Sequence, residues 1–229
     1  MILNYLSTGD IKSAIVSFLL SVPIIILILS VHEYAHGLVA RKLGDPTAES
    51  LGRLTLNPKS HIDPLGFLMF LLFGIGYAKP VPINSRYFKK PKRDMALVGA
   101  AGPLANFAMA LLFTLLLKLL YVAYPFLPID SIEWLYTALY YLQLLLIIAI
   151  SYNLAFMVFN LIPVPPLDGS RILYAFLPSK ILFKVQRYER YFFYGILAFF
   201  LVCSFLDVNL IGWAADLIMD LLFKLFFIA

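Results

Sequence analysis

Charge is scarce in this chain: of 229 residues only 14% are Asp, Glu, Lys or Arg, where a soluble domain carries about a quarter. Hydrophobic residues make up 62%. That leaves too little polar surface to cover a water-facing globule, which excludes a soluble protein and a disordered chain. Cysteine is almost absent. The one present, Cys203, lies in the apolar run Phe199-Phe200-Leu201-Val202. It excludes a disulfide scaffold and reads as a small core residue. Internal repeats and low-complexity tracts are also missing. The first apolar run lacks the basic n-region and small-residue cleavage site of a secretory leader. What remains is an integral membrane protein, expected as a single membrane-embedded domain over residues 1–229. Its formal net charge of +5 is then a matter of topology and contact with the lipid bilayer, with no nucleic acid as partner.

A spanning helix needs about 20 mostly apolar residues. Five apolar stretches are the candidates: residues 11–40, 95–124, 133–159, the shorter 191–206, and 210–229. The predicted fold is therefore all-α and polytopic, with about five transmembrane helices. The fifth stretch carries Asp216, Asp220 and Lys224 at four-residue spacing, so it is either a final span or a helix in the interface. Residues 65–77 are apolar but short, and they hold Gly66, Gly74 and Gly76. That suits a re-entrant or interfacial segment better than a crossing. Upstream, residues 48–56 alternate apolar and polar side chains, with Leu51, Leu54 and Leu56 between Gly52, Arg53 and Thr55. The alternation predicts short strands. A re-entrant and short β segment is thus expected near residues 48–77.

Basic residues cluster in three loops. Arg41, Lys42, Arg53 and Lys59 follow the first span. Lys79, Arg86, Lys89, Lys90, Lys92 and Arg93 precede the second. Lys180, Lys184, Arg187 and Arg190 lie between the third and fourth. The linker between the second and third spans has Asp130 and Glu133 and neither Lys nor Arg. If residues 65–77 do not cross, all three basic loops share one side, which the positive-inside rule makes the cytoplasm.

Inside the first apolar run stands His32-Glu33-Tyr34-Ala35-His36, the pattern H-E-x-x-H. On a helix, two histidines four residues apart project from one face and can hold one Zn²⁺. Glu33 beside them can take a proton from water at the metal. Ionisable side chains at that depth are costly unless paired or ligated, which marks them as functional. Such a site needs a third protein ligand and an open fourth position. Asp168 is the stronger candidate. It follows Pro163, Pro165 and Pro166, which stop the third span and force extended backbone at the same predicted membrane face. Capping the next helix is its other reading. His61 is the alternative ligand, read here as a second-shell or loop residue.

These residues resemble the site-2 protease family of intramembrane zinc metalloproteases, in its compact subgroup without PDZ or CBS domains. The resemblance covers roughly residues 23–190. It rests on His32-Glu33-Tyr34-Ala35-His36 and on the segment from Asn160 to Leu167-Asp168-Gly169. The stretch Gly99-Ala100-Ala101-Gly102-Pro103-Leu104-Ala105-Asn106 and the loop Gly44-Asp45-Pro46-Thr47-Ala48 are also similar to family elements. The resemblance implies that His32, His36 and Asp168 bind one catalytic zinc per chain and that Glu33 is the catalytic base. It implies that Asn160 contacts substrate or helps stabilise the oxyanion, against a packing role at the broken helix end. Asn106 reads as structural, since Gly102 and Ala105 suggest close helix approach.

The expected function is hydrolysis of peptide bonds within or near transmembrane segments of single-span membrane-protein substrates. The expected place is the cell membrane, with the basic loops and active site toward the cytoplasm. The strand near residues 51–56 would offer a docking edge to an unwound substrate. A zinc transporter and an inactive membrane scaffold are the rival classes. The spans offer the first few polar residues for a path, and an intact Glu33 argues against the second. Cysteines placed at Arg53, Lys90 and Lys184 in an accessibility scan are expected to label from the cytoplasmic side. Labelling of position 90 from the side opposite to 184 would make residues 65–77 a crossing.

Overall fold

The computed structural model describes residues 11–73, 78–128, 132–206 and 208–227. Three helices dominate: α1 (Ile11–Lys42), α4 (Pro91–Ala123) and α5 (Glu133–Leu161). The shortest has 29 residues, about 43 Å at ~1.5 Å per residue, against a hydrocarbon core of about 30 Å. All three are long and apolar enough to cross a membrane. Shorter helices fill the connections: α2 (Thr47–Ser50), α3 (Pro64–Phe73), α6 (Asp168–Tyr174) and α7 (Ser179–Arg187). The fourth and fifth apolar stretches form α8 (Glu189–Phe205) and α9 (Leu210–Phe227). These two pass the span test as one bent pair, a broken span or a re-entrant loop. The all-α polytopic expectation therefore holds, with three or four spans by length and composition where the apolar runs suggested about five.

α4 is the hub, packing against α1, α5 and α6. One apolar cluster joins Ala110 and Leu117 of α4 to Leu146, Ile150, Leu154 and Met157 of α5 and to Ala215 and Leu222 of α9. A second joins Ile24 and Ile28 of α1 to Ala149 of α5. Large apolar side chains such as Leu19, Leu104, Leu119 and Trp134 point outward, the surface that lipid rather than water tolerates.

The strands expected within residues 48–56 are not there, and among the described residues no strand is present. Gly44, at φ +107°, ends α1 in the left-handed conformation that glycine adopts freely. Asp45, fully buried, then accepts from the Thr47 backbone N–H at 2.9 Å and from its hydroxyl. That closes a turn which starts α2 over Thr47–Ser50. Gly52 at φ +65° ends it. The alternation of Leu51, Leu54 and Leu56 thus arises from a helical turn and loop. No strand among the described residues pairs with them, and the docking edge expected there is lost with the strand.

α3 has 10 residues, about 15 Å long, too short to cross. Residues 74–77 of the apolar segment lie outside the described residues, as does Asp130 in the linker after α4. The loop from 44 to 61 is tied to the segment after α3. Arg53 donates to the carbonyls of Lys79 (2.9 Å) and Pro80 (3.1 Å). Lys79 N–H reaches His61 O at 2.8 Å, and Asn84 N–H reaches Asp45 Oδ2 at 2.7 Å. These bonds close a polar cap over one end of α1.

Candidate metal centre

His32 and His36 lie on one face of α1, as their four-residue spacing requires. Asp168 reaches them from α6, 132 residues further along the chain. Its route is set by the end of α5. The turns across residues 162–167 carry the three prolines and return the chain to α5, where Gly169 sits against the helix end. A Cβ on Gly169 would stand 2.3 Å from Leu161 O, a distance no side chain tolerates, so only glycine allows this approach. Asp168 is the first residue of α6 and also meets the histidines, so it serves as more than a helix cap.

The three ligand atoms form a nearly equilateral triangle. His32 Nε2, His36 Nε2 and Asp168 Oδ2 are 3.0 Å from one another along all three edges. All three residues are buried, at 5%, 3% and 7% exposure. They are the group of His, Cys, Asp and Glu among the described residues able to hold a metal ion. A tetrahedral site with ~2.0–2.1 Å bonds has edges of about 3.3 Å, so the triangle is one slightly contracted face of such a site.

The hydrogen bonds behind the triangle say what it holds. His36 donates from Nδ1 to Val98 O at 2.7 Å, which leaves its Nε2 lone pair free in the neutral ring. That lone pair faces a carboxylate oxygen and a second imidazole nitrogen. Three electron-rich atoms at 3.0 Å in an apolar surround repel unless a cation sits among them. The set of two imidazoles and one carboxylate suits Zn²⁺. Arg171 Nη1 stands 3.5 Å from the outer oxygen of Asp168, Oδ1.

Glu33 is buried beside the triad without joining it. Its Oε2 accepts from the Val81 backbone N–H at 2.8 Å, which fixes the carboxylate next to its ligand neighbours. Val81 lies between Pro80 and Pro82, and Pro82 has no N–H to offer. Gly102 of α4 completes the wall. A Cβ there would lie 2.5 Å from His36 Nε2 and 2.6 Å from His32 Nε2, in contact with the atoms that face the metal. Gly99, one turn earlier, makes room for α6, since its Cβ would meet Arg171 Cβ at 2.8 Å.

The remaining sequence candidates stand apart. His61 is fully buried, but its Nε2 bonds Thr55 O at 2.7 Å, and it staples the cap loop. Asn160 donates from Nδ2 to Phe156 O of its own helix at 3.0 Å. Sequence reasoning missed Val98 and Val81, because both act through the backbone and their side chains carry no signal. The two prolines that isolate the Val81 N–H were the one visible hint.

Gly102→Ala is expected to lower zinc content to a small fraction of one per chain, as His36→Ala does, while the helical circular dichroism is kept. Metal analysis of the purified proteins checks it. Full zinc in both variants would contradict the triangle as the site.

The profile of peptidase family M50 matches residues 20–132 and 128–203. The chain is 41% identical over 176 residues to "Putative zinc metalloprotease YwhC" of Bacillus subtilis, covering 77% of each. It is 32% identical over 191 residues to "Putative zinc metalloprotease Rip2" of Mycobacterium tuberculosis, covering 81% of this chain and 66% of that one. The Rip2 of Mycolicibacterium smegmatis is 30% identical over 160 residues, 66% of this chain and 55% of that one. No solved structure matches. A profile matched over most of the chain and a relative 41% identical over 77% of it establish that this protein belongs to peptidase family M50, with zinc as its metal.

Proposed function

We propose that the chain is an intramembrane zinc metalloprotease that hydrolyses peptide bonds within or near transmembrane segments of single-span membrane proteins. The observation that carries this reading is a buried carboxylate, Glu33, on a spanning helix beside His32 and His36, next to but outside the buried group that these two form with Asp168 of α6. A site that only stores or carries metal has no use for a base held ready beside it. Zinc bound by His32, His36 and Asp168 supplies a Lewis acid for the scissile carbonyl and lowers the pKa of the attacking water.

The chain's own residues do the rest. Glu33, tethered through Oε2 to Val81 N–H, takes the proton from the attacking water and returns it to the leaving amine. The His36–Val98 bond keeps that imidazole in the tautomer whose Nε2 is free. Burial of the triad excludes bulk water, which strengthens each of these interactions. Asn160 lies just before the chain leaves α5. Its amide would have to leave the Phe156 carbonyl to meet a substrate.

The transporter alternative needs a polar path along the spans. Four of the buried polar side chains there are turned onto their own helices. Ser21 bonds Phe18 O, Ser30 bonds Ile26 O, Thr114 bonds Ala110 O and Asn153 bonds Ala149 O. Such back-bonding leaves little to pass a cation along. The three basic loops favour a cytoplasmic active site in the cell membrane.

Glu33→Gln keeps shape and hydrogen bonding but removes the base. Cleavage of a single-span substrate in detergent should fall by roughly 10²–10⁴-fold with zinc content unchanged. In Asp168→Asn, a neutral amide replaces a carboxylate ligand, so zinc affinity and cleavage should fall together. Cleavage by Glu33→Gln at the wild-type rate would exclude Glu33 as the base. Asp168→Asn with full zinc would move the third ligand elsewhere, with His61 next to test.

A further inference from the structure

His36 has a hydrogen-bond partner behind it, and His32 has none: its Nδ1 is buried and unpartnered. Three more buried atoms share that condition in the spans nearby, namely Asn106 Nδ2, Asn106 Oδ1 and Asn153 Oδ1. Both asparagines are fully buried. A buried polar atom left unsatisfied is costly, so these four call for an account.

The helix registers put the three side chains in one layer. Val98 of α4 meets His36, and Gly102 meets His32 and His36. α4 therefore runs antiparallel to α1. Asn106, the next residue on that face of α4, lies on the Ile28 side of His32. Below this layer Ile28 and Ala149 share a buried apolar cluster, Ala110 belongs to the adjoining one, and Phe113 packs against both. His32, Asn153 and Asn106 each stand one helical turn from Ile28, Ala149 and Ala110, on the metal side of that apolar floor.

The four atoms are also complementary. With His32 Nε2 turned to the metal, its Nδ1–H is a donor. Asn106 offers one acceptor and one donor. Asn153 offers an acceptor, because its own Nδ2 already donates to Ala149 O at 2.8 Å. We propose that Asn106 is a positioning residue for the zinc ligand His32. Its Oδ1 accepts the His32 Nδ1–H, and its Nδ2 donates to Asn153 Oδ1, each through a buried water. Asn106 then does for His32 what the Val98 carbonyl does for His36. It fixes the tautomer and ring orientation and makes Nε2 a better donor to the metal. On this proposal Asn106 does more than pack. It rests on the His32–His36–Asp168 reading of the metal centre.

The test uses the purified full chain in detergent, with zinc affinity measured by chelator competition and unfolding temperature measured with chelator present. Asn106→Leu removes the acceptor at similar volume. Asn106→Asp keeps one. Zinc affinity should fall about 10–100-fold in Asn106→Leu and stay within a few-fold of wild type in Asn106→Asp. If Asn106→Leu fails to fold, Asn106→Val carries the same expectation. A merely structural asparagine gives the opposite pattern: a lower metal-free unfolding temperature with zinc affinity intact in the apolar variant. That result, or an equal loss of affinity in Asn106→Asp, overturns the proposal. His36→Ala runs alongside. If it keeps zinc, the metal centre itself is wrong. If it loses zinc while Asn106→Leu does not, only the role of Asn106 is.

Discussion

Three lone-pair-bearing atoms held 3.0 Å apart in an apolar interior are the constraint on which the rest of this structure turns. Without a cation among them the arrangement costs free energy on every edge. With a divalent metal, the same closeness becomes coordination. Any fold that places such a triad must therefore hold it rigidly and keep its polar shell complete. The Val98 carbonyl behind His36 and the Val81 N–H on Glu33 meet that demand with backbone groups, which cannot rotate away.

Glycines make the closeness possible. Gly102 lets α4 lie against both imidazoles, Gly99 lets α6 reach α4, and Gly169 lets α6 sit on the end of α5. At each of these positions a single Cβ would stand under 3.0 Å from a neighbour that has little room to move. Each glycine weakens its own helix by about 0.5–1 kcal/mol relative to alanine. In a bilayer, where apolar side chains gain little by turning from lipid to protein, close backbone approach is itself a main source of helix association. The same small residues thus hold the bundle together and leave room for the metal.

Much of this was legible in the sequence. Apolar runs located α1, α4 and α5 within a few residues, because a spanning helix satisfies its own backbone and little else competes with hydropathy. The His32/His36 spacing and the proline-broken approach to Asp168 pointed to the three side chains that the structure brings together as a group able to hold a metal ion, because both are local consequences of helix geometry. What failed was also local. Leu51, Leu54 and Leu56 alternate like a strand, yet a buried Asp45 and two left-handed glycines fold the segment as helix and turn. Backbone donors and acceptors such as those of Val81 and Val98 have no signature to find. Asn106 reads as packing from its own helix alone, because the partners proposed for it stand on two other helices.

X-ray absorption at the zinc edge of the purified wild-type protein tests the central claim most directly. The account predicts one zinc with two imidazoles, recognised by their ring scattering, and oxygen completing the shell at about 2.0–2.1 Å. Sulfur scattering at about 2.3 Å, which would implicate Cys203, or a shell with fewer than two imidazoles would contradict it.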